Sequence, residues 1–195
     1  MGRPSIKAER AAEILDAYEE CVARFGIEGA TLERVANQAG LARALIRHNV
    51  GNRDDLLDAL IERFFDVSGQ RVRDLVSALP DSNRAPALVD VLFDVRHSND
   101  THVLVAEALI AAAANRPDLA ERMKGWIADF IAAIASVLKD AFPDAPADRI
   151  SAVASGMTGI YFNVDSLAML GGMGDLRRDS KKAALLLVET LESGT

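Results

Sequence analysis

Apolar residues return every three or four positions along nearly the whole chain, and no stretch alternates strictly between turn residues as a strand would. The pattern predicts helices throughout. From residue 7 to 25, Ile14, Tyr18, Cys21, Val22 and Phe25 share one face, and Gly26 suits the end of that helix. Thr31 is placed to cap a short second helix carrying Leu32, Val35, Ala36 and Ala39, which Gly40 terminates. A third helix starts near Ala42, anchored by Leu41, Leu45, Ile46 and Val50. Asn52 can cap a long fourth helix whose first turn holds Asp54 and Asp55, where the helix dipole favours acids. Pro80 stops it.

The run PDSNRAP (80–86) reads as a loop. Beyond it the spacing predicts helices over 87–97, 101–115, 118–141, 146–170 and 180–193, with breaks at HSND, NRPD, FPDAP and GGMGD. The stretch LGGMG (170–174) follows no strand, so it reads as a helix end rather than a phosphate cradle. The expected fold class is all-α.

Composition sets bounds on this picture. The chain has 195 residues, half of them hydrophobic, enough for a sizeable core in one large domain or two small ones. No apolar run reaches the roughly 18 residues that would span a bilayer, so no membrane partner is expected. Charges stand early in MGRPSIKAERAAEIL where an export signal would be apolar. The lone Cys21 reads as a small buried apolar residue and fits a reducing compartment, so a cytoplasmic location is expected.

Charge changes the picture more. The formal net charge is −7, yet the chain from Arg34 to Arg53 holds four arginines and a histidine with no acidic residue. Residues 1–53 carry eight Lys+Arg against seven Asp+Glu, while the remainder carries fourteen against twenty-two. Such asymmetry points to an N-terminal segment that meets a polyanion. A short helix, a glycine turn and a second short helix make a helix-turn-helix over about 31–50, whose second helix enters the DNA major groove. Arg43 and Arg47 are four apart, as are Ala44 and His48, which puts all four on the outward face. Arginine's planar fork suits guanine edges and phosphates. A solvated basic patch is the alternative reading of the same residues.

The run ILDAYEECVARFGIEGATLERVANQAGLARALIRHNVGNRDDLLDAL resembles the DNA-binding domain of the TetR (tetracycline-repressor) family of bacterial regulators. The matching features are the apolar helix Ile14 to Phe25, Gly29, Thr31, the Ala39-Gly40 turn and the Arg53-Asp54-Asp55-Leu56-Leu57 opening of helix 4. Ala42 stands where the family often has a capping serine, Arg47 where a tyrosine contacts phosphate, and Val50 where a phenylalanine is common. The resemblance implies a DNA-binding domain over 1–67 and a helical ligand-binding and dimerisation domain over 68–195. The expected DNA contacts are Thr31, Arg43, Ala44, Arg47, His48 and Arg53, with Arg53 and Thr31 at helix N-termini that favour phosphate. Arg3 and Lys7 either track the DNA backbone or are simply solvated.

In the acidic remainder, Ala152, Gly156, Gly159 and Asn163 form a stripe of small residues beside an apolar one of Val153, Met157, Ile160, Val164 and Leu167. A helix apolar over so much of its circumference is buried on more than one side. With Leu187 and Leu191 of the last helix, Ala152, Gly156 and Gly159 are the expected homodimer interface. A pocket for a small-molecule effector, as the resemblance implies, would draw on Phe64, Phe93, Trp126, Phe130, Met157 and Tyr161, with His97, His102 and Asn163 as polar contacts. Each of these also reads as ordinary core packing. The histidines have no metal-site pattern around them, and no nucleophile–base pairing is legible, so no cofactor, metal or catalytic residue is expected. The expected function is a ligand-responsive repressor, a homodimer on a pseudo-palindromic double-stranded operator. The alternatives are a helical small-molecule sensor without operator binding, or an all-α enzyme.

Overall fold

The computed structural model describes residues 6–172 and 174–192; the Arg3 expectation lies outside them. Nine α-helices and one 3₁₀ turn make up the described residues, and no strand occurs among them. They are α1 (Ile6–Gly29), α2 (Leu32–Ala39), α3 (Arg43–Val50), α4 (Arg53–Ala78), α5 (Arg84–Leu92), α6 (Asp100–Ala113), α7 (Pro117–Ala141), α8 (Ala147–Ala168) and α9 (Gly174–Glu192), with the 3₁₀ turn at Val95–His97.

The chain divides into two compact units, Met1–Val67 with Asp100–Glu121, and Ser68–Asn99 with Arg122–Thr195. In the first, α1 packs on α2, α3 and α6. These helices bury Ile14, Tyr18, Val22, Val35, Ile46 and Leu109 almost completely, each aliphatic among them contributing roughly 1.5–3 kcal/mol of hydrophobic free energy. Cys21 is buried here as a small apolar residue. Arg63 of α4 is paired with Asp16 and Glu19 of α1. The sequence reading assigns 100–121 to the second domain; in the structure α6 clusters with the first unit because its buried face, Val105 and Leu109, meets α1.

The second unit is built on α8 packing against α9 and α5 against α9. Its core joins Leu88 and Val89 of α5, Ile134 and Leu138 of α7, Val153 and Met157 of α8, and Ala184 and Val188 of α9.

Two helix starts differ from the periodicity. α5 begins at Arg84 rather than 87 and ends at Leu92, the 3₁₀ turn following. Pro86 lies in its first turn, where a missing N–H costs no helical hydrogen bond. α9 begins at Gly174 rather than 180, directly after Gly171 and Gly172 break the chain. Its first turns are charged (Asp175, Arg177, Arg178, Asp179), which an apolar periodicity does not register. α4 starts where expected. Asn52 Oδ1 accepts from the N–H groups of Asp54 (2.7 Å) and Asp55 (3.1 Å), and Asp55 Oδ2 accepts from the Asn52 N–H (2.8 Å), a reciprocal capping box.

Candidate functional site

Local chemistry positions the helix-turn-helix. The Thr31 hydroxyl accepts from the Arg34 N–H at 3.3 Å and caps α2, a contact worth about 1 kcal/mol. Gly40 ends α2 at φ 64°, a left-handed conformation that glycine adopts without a Cβ penalty, and its N–H returns to the Ala36 and Asn37 carbonyls. Ala42 holds the extended cap conformation with no side-chain hydrogen bond, so α3 starts uncapped.

Ile46 is wholly buried and pins α3 to α1 and α2, with Leu41 and Val50 half-buried beside it. Leu45 is not the anchor that the periodicity predicts: it is 46% exposed. A helix turns about 100° per residue, so with Ile46 facing the core its neighbour in sequence swings outward. Arg43, Ala44, Arg47 and His48 are all exposed, as expected. Ala44 and His48 occupy the middle of the outward face, with Arg47 on one flank and Leu45 on the other. Asn49 is committed elsewhere, its amide donating to the Leu45 carbonyl at 2.8 Å.

The other two arginines of the acid-free window are tied into the fold. Arg34 Nη1 donates to the Gly29 carbonyl at 2.7 Å, and its guanidinium lies 4.4 Å from the Phe25 ring centroid. Arg24 covers the same ring at 5.1 Å. Phe25, expected to face the core, is instead 41% exposed and covered by these cations. Arg53 Nη2 donates to the Ile27 carbonyl at 2.7 Å and pairs with Glu28 at 2.9 Å. The guanidinium expected to meet phosphate thus has one terminal nitrogen, Nη2, committed within the unit.

What these arginines hold is the end of α1, where Gly26 leaves the helix at φ 69°, ψ 171°. Ile27 lies in the last turn of α1, where carbonyls lack helical i+4 donors and can accept from a side chain. A Cβ at Gly29 would stand 2.8 Å from the Phe25 Cβ, so the turn is closed by close backbone approach. Tyr18 lies within the electrostatic reach of Arg53 and Glu28; burial pushes its phenol up to about 12, partly offset by Arg53. The Tyr18 hydroxyl has no hydrogen-bond partner.

The expected effector residues are divided between the two units. Phe64 and His102 stack on each other within the first unit, ring centroids 4.7 Å apart. Phe93, Trp126, Phe130 and Tyr161 belong to the second unit and are joined through Phe162, which sequence reasoning passed over. Phe162 stacks on Trp126 at 5.3 Å and lies 5.2 Å from Phe130, while Phe130 stacks on Tyr161 at 5.7 Å. Phe93 meets Tyr161 edge-on at 6.3 Å. Met157 is fully buried in the same core as Phe93, Phe130 and Tyr161, and His97 and Asn163 are exposed.

Beside Phe130 an apolar crevice opens among Val72, Leu75 and Val76 of α4, Leu88 and Leu92 of α5, and Ala133 and Ile134 of α7. Tyr161 leads to a buried ion pair: Asp165 of α8 accepts from Arg177 Nη2 of α9 at 2.9 Å. Burial pushes the Tyr161 phenol up, and its hydrogen bond to Asp165 adds to the shift. Arg177 Nη1 is buried without a hydrogen-bond partner. One sequence signal for this pair was available, since a carboxylate inside the apolar run YFNVDSLAML requires a buried partner.

The expected dimer residues separate into two groups. Ala152 and Gly159 are exposed, and nothing lies within 4 Å of a Cβ built on Gly159. A Cβ on Gly156 would meet Leu187 Cδ1 at 3.2 Å, so Gly156 and Leu187 serve the α8–α9 contact inside one chain. Leu191 is 4% exposed and belongs to the chain's own core, which removes it from any interface. Leu186, 62% exposed on α9, is the apolar side chain left outside.

The tetracycline repressor-like C-terminal domain matches residues 80–187, more than half of the chain. The HTH-type transcriptional repressor AcnR of Corynebacterium jeikeium is 31% identical over 93 residues, 48% of this chain and 43% of that protein. The HTH-type transcriptional regulator BetI of Stenotrophomonas maltophilia is 26% identical over 122 residues, 62% of each chain. The matched stretch thus spans less than two thirds of either relative. A TetR transcription regulator from Haloarcula marismortui superposes with a TM-score of 0.72 at 16% identity, covering 93% of this chain and 97% of that one, which establishes a common fold. Among the described residues no helix is long and apolar enough to cross a membrane. With its all-helical architecture and the helix-turn-helix ahead of the matched domain, the chain belongs to the TetR (tetracycline repressor-like) family.

Proposed function

We propose that this chain is a DNA-binding transcriptional regulator, a repressor that acts as a homodimer on a pseudo-palindromic operator in the cytoplasm and releases it on binding a small-molecule effector. The observation that carries the reading is the outward face of α3. Arg43, Ala44, Arg47 and His48 are exposed on it, and the surrounding window holds no carboxylate to repel phosphate. Arginine forks supply base or phosphate contacts, and Ala44 lets the helix approach the groove closely. The repressor sense rests on the name of the AcnR relative. Dimerisation rests on the exposed Ala152, Gly159 and Leu186, and would set two recognition helices about 34–36 Å apart, or a multiple of that. The effector part of the reading rests on the match of residues 80–187 to the tetracycline repressor-like C-terminal domain, since the crevice beside Phe130 has room for about one water molecule.

Retention of duplexes selected from a random pool tests the reading. A regulator retains a sequence-related set, and the logarithm of its affinity falls linearly with the logarithm of salt concentration. A chain that retains no duplex at low salt is not a DNA-binding protein, and a turnover assay becomes the next experiment.

A further inference from the structure

Leu45 is a large apolar side chain on the outward face of α3, and nearly half its surface is exposed. Its backbone is nonetheless well fixed. The Leu45 N–H donates to the Ala42 carbonyl at 2.8 Å, and its own carbonyl accepts from both the helix and the Asn49 side chain. The position is rigid while the side chain is open. At about 100° per residue, Ala44 and His48 lie between Leu45 and Arg47, and the arc from Arg47 to Leu45 spans about 160°. One edge of the outward face is therefore cationic and the other aliphatic, with a methyl-sized residue between them.

Exposing a leucine to water costs free energy that a buried position or a partner would recover. A purely phosphate-facing edge would recover none, because phosphate oxygens offer no apolar surface. In the major groove the apolar feature is the C5-methyl group of thymine, which only a T·A pair presents. Asn49, the residue type suited to reading adenine, has its amide donating to the Leu45 carbonyl. Resting on the regulator reading above, we propose that Leu45 is a specificity-determining residue that reads a thymine methyl group at one edge of each half-site. Arg47, on the opposite flank, addresses a guanine edge or a phosphate.

The test removes the methyl group alone. Duplexes selected by the full chain are resynthesised with each thymine replaced in turn by deoxyuridine, and binding is measured for the wild type and for Leu45→Ala. The wild type is expected to lose about fourfold in affinity at one thymine per half-site, the worth of one buried methyl-sized group. Leu45→Ala should bind the thymine duplex with that same deficit and be indifferent to the uracil at that position, while responding like the wild type elsewhere. Leu45 is exposed, so the variant should keep its fold, and an unchanged helical circular dichroism spectrum checks this. A variant with the wild-type thymine-to-uracil ratio at every position overturns the assignment of Leu45 while leaving the regulator reading intact. Failure to select any duplex overturns both.

Discussion

Arg53 of α4 is paired with Glu28 of α1, Nη2 to Oε2 at 2.9 Å, so the cation at the start of α4 already has an anionic partner. The Glu28 side chain is 91% exposed, and a pair this open contributes little to stability, within about 1 kcal/mol. Its consequence is for binding. A phosphate arriving at the N-terminus of α4 must displace a carboxylate that also repels it.

Glu28→Gln should therefore raise duplex affinity and steepen its dependence on salt, since Arg53 becomes available as one more phosphate contact. Each added contact changes the slope of log affinity against log salt by about 0.9. Arg53→Ala should change the wild-type affinity little, and added to Glu28→Gln it should abolish that variant's gain for all duplexes alike. Fluorescence anisotropy at several salt concentrations reads both. An unchanged slope in Glu28→Gln would leave Arg53 as a tie to the Ile27 carbonyl and nothing more.

Tyr18→Phe should stabilise the chain, by about 1 kcal/mol, because it removes a buried hydroxyl that no partner satisfies. It should also change the alkaline behaviour. Burial pushes the folded phenol up to about 12, while the unfolded one keeps the ordinary phenol value of 10.0. Between those pH values the unfolded state has lost a proton that the folded state keeps, so stability is full below about 10 and falls as pH rises towards about 12, by about 3 kcal/mol. Tyr161, the second of two tyrosines, is shifted in the same direction and remains in the variant. Denaturant midpoints from pH 9 to 12 should fall less steeply for Tyr18→Phe; parallel curves would contradict the buried, unpartnered phenol.

Where structure follows from chemistry within a few residues, the sequence is a good guide. The Thr31 cap, the left-handed Gly40 and the Asn52–Asp55 box each involve groups no more than five residues apart, and each is formed. Leu45 and Phe25 were misjudged because periodicity marks an apolar face without stating how wide the buried arc is. Around α3 it narrows to Ile46, with Leu41 and Val50 half-covered. The partners of the aromatic residues are illegible for a different reason. That Phe64 stacks on His102 and Phe130 on Tyr161 depends on which helices pair, and that is settled by contacts between residues far apart in the chain. The Arg34 and Arg53 ties are hidden similarly, because each reaches a carbonyl in the last turn of α1 from outside that helix.

The Asp165–Arg177 pair is 7% and 15% exposed at its two side chains, so breaking one partner leaves a buried charge. Asp165→Ala should cost about 3–5 kcal/mol. Replacing both, Asp165→Leu with Arg177→Met, should recover most of that loss, because no uncompensated charge remains. Urea denaturation of the two variants decides. Equal losses in the single and double variants would mean that packing of α8 on α9, rather than charge, dominates at this position.

The two glycines of α8 should part company. At Gly156 a larger side chain runs into Leu187 of the same chain, where even a Cβ stands 3.2 Å from Cδ1. Gly156→Leu should therefore lower the chain's own stability, by about 1–3 kcal/mol or more, whatever the oligomeric state. Gly159 faces open space, so Gly159→Leu has nothing to clash with inside the chain beyond the small loss or gain of helix propensity. If exposed Ala152, Gly159 and Leu186 are where a second copy docks, a leucine at 159 should hold the two surfaces apart and yield a folded monomer. A monomer presents one recognition helix rather than two, so tight operator binding should be lost while α3 is untouched. Sedimentation velocity and thermal denaturation, run on both variants, separate the cases. Gly159→Leu that sediments as the wild type does, at the same concentration, would remove this stripe from the dimer contact and leave Leu186 to be tested alone by Leu186→Glu.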